Sequence, residues 1–250
     1  MDNGLRISTI TSILRLSHNI DLKSVYECIP ISDYIPYIEY GSDNPARGFS
    51  EKSLKKKRKK KKKKIFYNQA TIHVFHNKLI NVKLFNNGRI QVTGLKSEDH
   101  GYELISQLIL YLQDFEVFTM DVKIEEQKIV LINSDFDIGM QVDRDKVHNE
   151  IIDRGIYSSY EPCIYPGVNI KYYINYSREN GSYNGICRCE SMCNGKGNAC
   201  GDGDCKKVTI AIFKSGKVII TGGQNKSQIN ESYRFISNFI LDQKDKFLLK

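Results

Sequence analysis

The sequence predicts an α+β fold of two similar halves, in which antiparallel strands form a sheet and helices cover one face of it. Three observations support this prediction. Residues 81–112 recur, at an offset of 128, as residues 209–240. Each copy begins with the period-two hydrophobic pattern of strands and continues with the 3.6-residue period of a helix. The chain has 250 residues and 40% hydrophobic composition, enough to bury a core in both halves.

The first part of each copy is a predicted β-hairpin. One strand with alternating apolar residues ends at Phe85 or Phe213, and a turn follows at Gly88 or Gly216. Glycine suits such a turn because it tolerates positive φ. The second strands of the two hairpins cover residues 89–93 and 217–221. We expect the Thr-Gly pair after each of them to end the strand.

The second part of each copy is a predicted helix. Its apolar residues recur every three or four positions, as the buried face of a helix requires. They are Leu104, Leu108 and Leu112 in the first copy, and Phe235, Ile236, Phe239 and Ile240 in the second. Ser97 and Ser227 are the expected caps near the helix starts.

Each half also begins in the same way, with a strand followed by a short helix. Residues 5–13 alternate as a strand before a helix at 20–27, and residues 128–136 do so before a helix at 144–152. The predicted domains are therefore a first repeat at 1–116 and a second at 117–250. Two loop-like segments interrupt them: residues 42–64, which are basic, and residues 176–206, which are rich in Gly, Asn and Cys.

The net charge of +8 comes from one segment. Lys52 and the run of ten basic residues at 55–64 hold 11 of the 37 basic residues, and without them the net charge is −3. A block of like charges repels itself and stays extended. It suits a nucleic-acid backbone, an acidic partner or an import receptor, and a solvated low-complexity loop is the alternative.

Composition argues against a membrane or disulfide-stabilised protein. No apolar run approaches the roughly 20 residues of a membrane helix, and the first residues lack the pattern of a secretory signal. Seven cysteines are an odd number, so we expect free thiols in a reducing, intracellular compartment.

Five cysteines cluster between residues 187 and 205. Thiolates at short spacing in a Gly-rich loop can wrap a structural zinc ion, although the usual Cys-x2-Cys pairs are missing. The alternative is a flexible loop that carries free thiols. The five candidate ligands are Cys187, Cys189, Cys193, Cys200 and Cys205.

The duplicated pattern resembles the TATA-box-binding protein family. The resemblance is carried by Phe-x-x-Gly-[Lys/Arg]-x-x-[Val/Ile]-Thr-Gly, which starts at Phe85 and at Phe213. Residues 159–167, Ser-Tyr-Glu-Pro-Cys-Ile-Tyr-Pro-Gly, are similar to the family's Ser-Tyr-Glu-Pro-Glu-Leu-Phe-Pro-Gly. With its two extra segments, the chain looks like the divergent members of the family in large DNA viruses.

This resemblance implies a pseudo-two-fold saddle, a curved antiparallel sheet with helices on the convex face. In the family the concave face binds the DNA minor groove, and aromatic rings wedge between base steps and kink the duplex. Phe85 and Phe213 match two wedges, and Tyr165 stands where the family has a third. Gapless counting places the fourth at Asn68, and the neighbouring Phe66 is the preferred ring. The alternative for each ring is an ordinary core or turn aromatic.

The resemblance also implies a set of polar and basic contacts to DNA. Thr93 and Thr221 match threonines that face the minor-groove edge, whereas strand-forming residues before a turn are the alternative for them. The first-strand asparagine of the family falls on Thr9, and its second-half equivalent on Asn133 after a small shift. Gln91 and Ile219 occupy DNA-facing strand positions. The matching basic residues, which otherwise serve as solvated surface charges, are Arg89, Lys217, Lys96 and Lys171.

We therefore expect a non-enzymatic DNA-binding transcription initiation factor. The resemblance implies that it binds and bends promoter DNA as a monomer, recruits transcription-factor or RNA polymerase partners, needs no cofactor, and works in the nucleus or in a cytoplasmic viral replication compartment. The alternative is a protein-interaction scaffold that keeps the fold and holds DNA only nonspecifically through the lysine block. Salt and sequence dependence of binding distinguish the two.

Overall fold

The computed structural model of the protein describes residues 4–41, 44–49, 51, 66–177 and 185–249. The basic run at 55–64 lies outside the described residues, as does most of the loop predicted at 42–64. The first half contains the following elements: β1 (Arg6–Leu16), α1 (Leu22–Cys28), β2 (Tyr37–Tyr40), β3 (Arg47–Gly48), β4 (Gln69–His76), β5 (Lys78–Phe85), β6 (Arg89–Leu95) and α2 (Asp99–Asp114). The second half contains β7 (Ile124–Asp137), α3 (Arg144–Asp153), β8 (Ser158–Ser159), β9 (Val168–Ile174), β10 (Lys206–Ile212), β11 (Lys217–Gly223), α4 (Lys226–Leu241) and α5 (Lys244–Phe247).

The chain forms two compact units. The N-unit comprises residues 9–130, and the C-unit comprises residues 131–249 together with residues 4–8 of the first strand. The units divide the chain between residues 8 and 9 and between residues 130 and 131, whereas the predicted repeats meet between residues 116 and 117. The two divisions differ because β1 and β7 each have one end in the N-unit and the other end in the C-unit. The repeat boundary itself stays a prediction.

The strands of both units pair in the same order. In the N-unit the hydrogen-bonded order is β3-β2-β4-β5-β6-β1, followed by the first part of β7. In the C-unit β8-β9-β10-β11 is followed by the second part of β7 and the start of β1. The ladders β4–β5, β5–β6, β1–β6, β7–β11, β10–β11 and β9–β10 are antiparallel, so the predicted antiparallel hairpins are confirmed.

One face of each sheet is the hydrophobic core. Ile80, Val82 and Leu84 alternate along β5 as fully buried residues. Helices α1 and α2 pack on the N-unit strands, and α3 and α4 pack on those of the C-unit. The buried faces of the long helices include Leu104, Leu108 and Leu112 in α2, and Ile236, Phe239 and Ile240 in α4, as the helical spacing predicts.

The opposite face of each sheet, here called the open face, carries half-buried and exposed side chains. Along β5 these are Leu79, Asn81, Lys83 and Phe85. Because successive strand residues point to opposite faces, the residues of each open face can be listed from the strand register alone.

No helix in the described part of the chain is long and apolar enough to span a membrane.

Three sequence predictions need correction. The Thr-Gly pairs do not end β6 and β11, because Gly94 and Gly222 are the extra residues of β-bulges and adopt φ values of +117° and +102°. The cap of α4 is Asn225, whose side chain accepts a hydrogen bond from the amide of Gln228, and not Ser227. Helix α2 begins after Glu98 without a side-chain cap, so Ser97 does not cap it either.

Candidate nucleic-acid interface

A row of polar side chains crosses the open face of the C-unit. Lys171, Thr209, Thr221 and Asn133 lie directly opposite one another on four adjacent strands. The Lys171 ammonium donates to the Thr209 hydroxyl at 3.0 Å, and the Thr221 hydroxyl donates to the Asn133 side-chain oxygen. Partial burial, followed by repulsion from Lys207, lowers the pKa of Lys171. The row therefore presents a band of donors and acceptors along one line of the sheet.

The N-unit carries the corresponding row in the same register. Thr93 lies between Asn81 and Thr11, as Thr221 lies between Thr209 and Asn133. The Thr11 hydroxyl donates to the Thr93 hydroxyl at 3.4 Å. The position predicted to hold the first-strand polar residue was Thr9, which lies two residues earlier in β1. The ladder instead makes Thr11 the counterpart of Asn133.

Two aromatic rings are in contact in the C-unit, next to the turn between β10 and β11. Tyr165 and Phe213 contact edge-to-face, with ring centroids 5.7 Å apart. Gly167 makes this arrangement possible, because a Cβ there would lie 2.8 Å from the Tyr165 ring and 3.2 Å from the Phe213 ring. Tyr165 keeps 37% of its surface exposed. The pair predicted from the sequence is therefore together and accessible.

The N-unit places Phe85 in the position equivalent to Phe213. Phe85 lies opposite Gln69 in the β4–β5 ladder, and the β9–β10 ladder, continued by one residue, places Phe213 opposite Gly167. Tyr165 precedes Gly167 by two residues. Tyr67 precedes Gln69 by two residues and is therefore the counterpart of Tyr165. Tyr67 is 75% exposed, and the predicted Phe66 is 64% exposed one residue earlier.

Further open-face positions mix charge with apolar surface. Gln91 lies opposite Lys83 in the N-unit, and Ile219 lies opposite Asp135 in the C-unit. Arg89, Lys217 and Lys96 are exposed, as expected for residues that could reach phosphates. Lys217 faces Asp137 across the strands.

Asp135 brings a negative charge to the open face of the C-unit. Arg6 forms an ion pair with it at 2.7 Å, and the Ser8 hydroxyl donates to it. The hydrogen bond from Arg6, assisted by Ser8 and by the charges of Arg6 and Lys217 against partial burial, lowers the pKa of Asp135. The carboxylate is therefore ionised at neutral pH.

The sequence analysis missed several residues of the open faces. By register, Thr11 and Asn81 belong to the N-unit row, and Lys207 and Tyr173 form a pair beside the C-unit row. The 128-residue offset relates Asn81 to Thr209, so the position of Asn81 in its row could have been predicted from the repeat. The position of Thr11 depends on the bulge at Gly94 and leaves no mark in the pattern of β1.

Four of the five clustered cysteines converge in space. The sulfur atoms of Cys187, Cys189, Cys193 and Cys205 all lie within 4.8 Å of one another. Cys200 is exposed outside this group, and its thiol points to the carbonyl of Asn198 at 3.7 Å. The prediction of five candidate ligands is therefore corrected to four.

The environment differentiates these thiols. Burial raises the pKa of Cys205 to about 12 and also raises the pKa of Cys187. For Cys193 burial acts in the same direction, but hydrogen bonds from the backbone at Gly195 and Cys205 and from the neighbouring thiols outweigh it and lower the pKa. Hydrogen bonds therefore favour the thiolate form of Cys193, whereas burial favours the neutral thiols of Cys187 and Cys205.

Comparison with known proteins agrees with this architecture. Residues 126–242 match the sequence model of the family described as transcription factor TFIID, or TATA-binding protein (TBP). A TATA-box-binding protein-like protein of Acanthamoeba polyphaga mimivirus is 30% identical over 257 aligned positions, which include 94% of this chain. The chain spans 64% of that relative's length.

A solved structure shows the same fold. The TBP of Methanococcus jannaschii superposes with a TM-score of 0.57 at 18% identity, covering 96% of this chain and 99% of the archaeal one. The predicted α+β fold and the predicted resemblance are both confirmed. Residues 126–242 are therefore similar to the TATA-binding protein family, and the chain has the fold of the archaeal TBP.

Proposed function

We propose that this protein is a transcription initiation factor that binds DNA through the open faces of its two units. The observation that carries the proposal is the matched pair of rows centred on Thr93 and Thr221, with an aromatic residue, Phe85 or Phe213, four residues further along the chain from Asn81 or Thr209 in each unit. Hydroxyl and amide groups can meet the acceptors of the minor-groove edge, and exposed rings can separate base steps.

The aromatic pair of the C-unit supports a bending mechanism. Inserting a ring between base pairs costs a few kcal/mol per unstacked step, so the duplex yields most readily at flexible TA steps. Tyr165 and Phe213 support each other edge-to-face, and the absence of a side chain at Gly167 lets both rings lie close to the strand end. A pre-arranged pair loses little side-chain entropy on insertion.

Recruitment of polymerase factors and action as a monomer on DNA belong to the same proposal, by analogy with the family. The contacts to DNA come from side chains of the chain itself, so we infer that binding requires no catalytic cofactor. We likewise infer that the protein acts by binding and not by catalysis, in the nucleus or a viral replication compartment.

The test is a binding titration that compares a TATA-containing duplex with a scrambled duplex at two salt concentrations. End-labelled duplexes report bending by energy transfer in the same samples. We expect wild type to prefer and bend the TATA duplex, and Phe85→Ala/Phe213→Ala to lose at least tenfold in affinity for it, about 1.4 kcal/mol. Tyr102→Ala removes a half-exposed aromatic from α2 and is the matched control.

A second candidate function is a protein-interaction scaffold. Asp135 favours it, because an ionised carboxylate on the open face repels the phosphates of DNA. In that case deletion of residues 52–64 abolishes the remaining DNA affinity, and the double alanine variant binds both duplexes as wild type does. Equal affinity of wild type for both duplexes, with no bending, would reject the first proposal in favour of this one.

A further inference from the structure

We propose that Cys187, Cys189, Cys193 and Cys205 bind one Zn²⁺ ion in a tetrahedral thiolate site, which fastens the segment between β9 and β10 to the adjoining ends of these two strands. The proposal concerns a part of the chain outside the two polar rows. It uses none of the residues of those rows, so metal binding and DNA binding are tested by separate measurements and either proposal can fail without the other.

The geometry of the sulfur atoms carries the proposal. Cys189 and Cys205 have their sulfurs 3.3 Å apart, and Cys205 and Cys187 have theirs 3.8 Å apart. A tetrahedral zinc ion with Zn–S distances near 2.3 Å holds its sulfurs about 3.8 Å from one another. None of the four thiols is in a disulfide bond, since the 3.3 Å separation of Cys189 and Cys205 is well above the bond length of about 2.05 Å.

The backbone that carries the ligands is fixed by contacts that need no metal. The Asp202 carboxylate accepts the amides of Glu190 and Ser191, each at 2.8 Å. Asp204 accepts the amides of Asn198 and Cys200 at 3.1 and 3.3 Å. These carboxylates hold the turns between the cysteines, so the ligands are oriented in advance, as an efficient metal site requires.

The segment packs closely against the start of β10. The Lys207 amide donates to the Gly195 carbonyl at 2.8 Å, and the Gly197 amide donates to the Cys205 carbonyl at 3.0 Å. Gly195 has φ +72°, and a Cβ there would lie 2.5 Å from the Cβ of Lys207. The chain can therefore approach β10 this closely only with glycine at that position.

Polar neighbours support the sulfur atoms. The Asn175 amide donates to the Cys205 sulfur at 3.5 Å and to the Gly201 carbonyl at 2.6 Å. Four thiolates around Zn²⁺ carry a net charge of −2, and the flanking Arg188, Lys206 and Lys207 place positive charge next to the ligands in sequence. Soft sulfur ligands in a tetrahedral set select zinc or iron over magnesium or calcium.

The decisive experiment measures metal content and coordination in the full-length protein. The protein is purified under reducing conditions, stripped with a chelator and titrated with Zn²⁺ alone, and the metal per chain is determined by mass spectrometry. Co²⁺ is used as a spectroscopic probe, because its thiolate charge-transfer and tetrahedral d–d bands report the number of sulfur ligands. Cys193→Ser tests the site, and Cys200→Ser is the matched control from the same segment.

We expect one zinc per chain in wild type and in Cys200→Ser, the cobalt spectrum of a four-sulfur site, and at least a hundredfold weaker zinc binding in Cys193→Ser. Zinc should raise the melting temperature of wild type by about 5 °C or more, and should leave that of Cys193→Ser unchanged. Cys189→Ser provides a second variant in case Cys193→Ser does not fold.

Three results would overturn the proposal. One is wild type that binds no zinc with high affinity although its thiols are reduced. Another is a mass lower by two hydrogens with a disulfide among the four cysteines as the native state. The third is equal zinc binding by Cys193→Ser, Cys189→Ser and wild type. Iron in place of zinc, with the spectrum of a four-sulfur iron site, would overturn the assignment of the metal.

Discussion

Asp135 is a negatively charged side chain on the open face of the C-unit, and its charge opposes DNA binding there. Its pKa is lowered by the hydrogen bond from Arg6, so it stays ionised throughout the neutral range. We expect Asp135→Asn to raise affinity for any duplex by about three- to tenfold at low salt, because one repulsive charge is removed from the interface. Fluorescence anisotropy titrations measure the change.

Asp121→Asn is the control for this prediction. It makes the same change in net charge, and Asp121 is 77% exposed in its side chain. If both variants gain equally, the effect comes from total charge, and Asp135 has no special place at the interface.

Tyr67 and Phe66 are neighbours with different expected roles. The strand register makes Tyr67 the counterpart of Tyr165, whereas the sequence analysis preferred Phe66. If register determines the wedge, Tyr67→Ala should reduce DNA bending and weaken binding to a TATA duplex about tenfold, and Phe66→Ala should change either by less than threefold. Energy transfer between labelled DNA ends measures the bend, and the reverse order of effects would restore Phe66 as the fourth ring.

The fourth ring shows why sequence alone was insufficient. Counting back from Phe85 without gaps reaches Asn68, because the count cannot know how many residues the β4–β5 hairpin uses for its turn. In the structure the turn residue is Asn77, which adopts φ +59°. The ladder then pairs His76 with Lys78 and Gln69 with Phe85. This register moves the position of the fourth ring by one residue, from Asn68 to Tyr67.

Helix α4 carries a partly buried carboxyl group, that of Glu231, on the side that faces Tyr172 of β9. Burial raises the pKa of Glu231 to about 7, although a hydrogen bond from the Tyr172 hydroxyl at 3.4 Å acts against it. In the unfolded chain the carboxyl group has its ordinary pKa of 4.5. The folded state therefore binds a proton that the unfolded state releases, and this destabilises the fold as pH rises from about 4.5 to 7.

We expect Glu231→Gln to remove this part of the pH dependence. The variant should melt at a higher temperature than wild type at pH 8 and at about the same temperature at pH 3, because at the lower pH the carboxyl group is almost fully protonated in both the folded and the unfolded state. Thermal melts monitored by circular dichroism between these values test it. The prediction fails if the difference between the two proteins does not grow with pH.

The hairpin elements were predictable, and the reason lies in their glycines. Gly88 and Gly216 adopt φ values of +78° and +85°, as the turn prediction required. The structure adds a second cause, since a Cβ at Gly88 would lie 2.4 Å from the carbonyl of His18 and one at Gly216 would lie 2.2 Å from that of Met140. These contacts come from segments distant in sequence, which no local pattern reveals.

Element boundaries and the metal ligands were less accessible from sequence. The helix predicted at 20–27 forms at Leu22–Cys28, where the Asp21 side chain accepts the amides of Lys23 and Ser24. Spacing could not exclude Cys200 from the cysteine cluster, because the turn held by Asp204 decides which way that thiol points.

For the whole molecule, the uneven distribution of charge predicts two separable modes of DNA binding. The basic run at 55–64 holds ten of the 37 basic residues, whereas the rest of the chain is close to neutral. Each phosphate neutralised on duplex DNA contributes about −0.9 to the slope of log K against log salt. We expect deletion of residues 52–64 to make this slope less negative by several units while the preference for TATA over scrambled duplex remains.

Titrations of wild type and the deletion variant over a range of salt concentrations measure both quantities. An unchanged slope would show that the run does not contact DNA, and this would favour its alternative interpretations as an import signal or a solvated loop.

The two compact units differ in how they are assembled from the chain. The N-unit is one continuous stretch, residues 9–130, whereas the C-unit combines residues 131–249 with residues 4–8, where Arg6 and Ser8 bind Asp135. The whole N-unit therefore lies, in sequence, between two segments that must meet to complete the C-unit. During synthesis the C-unit can close only after its later segment has been made and has captured the earlier one. Substitution of Arg6 or Ser8 would consequently disturb the unit whose other strands are translated after the N-unit.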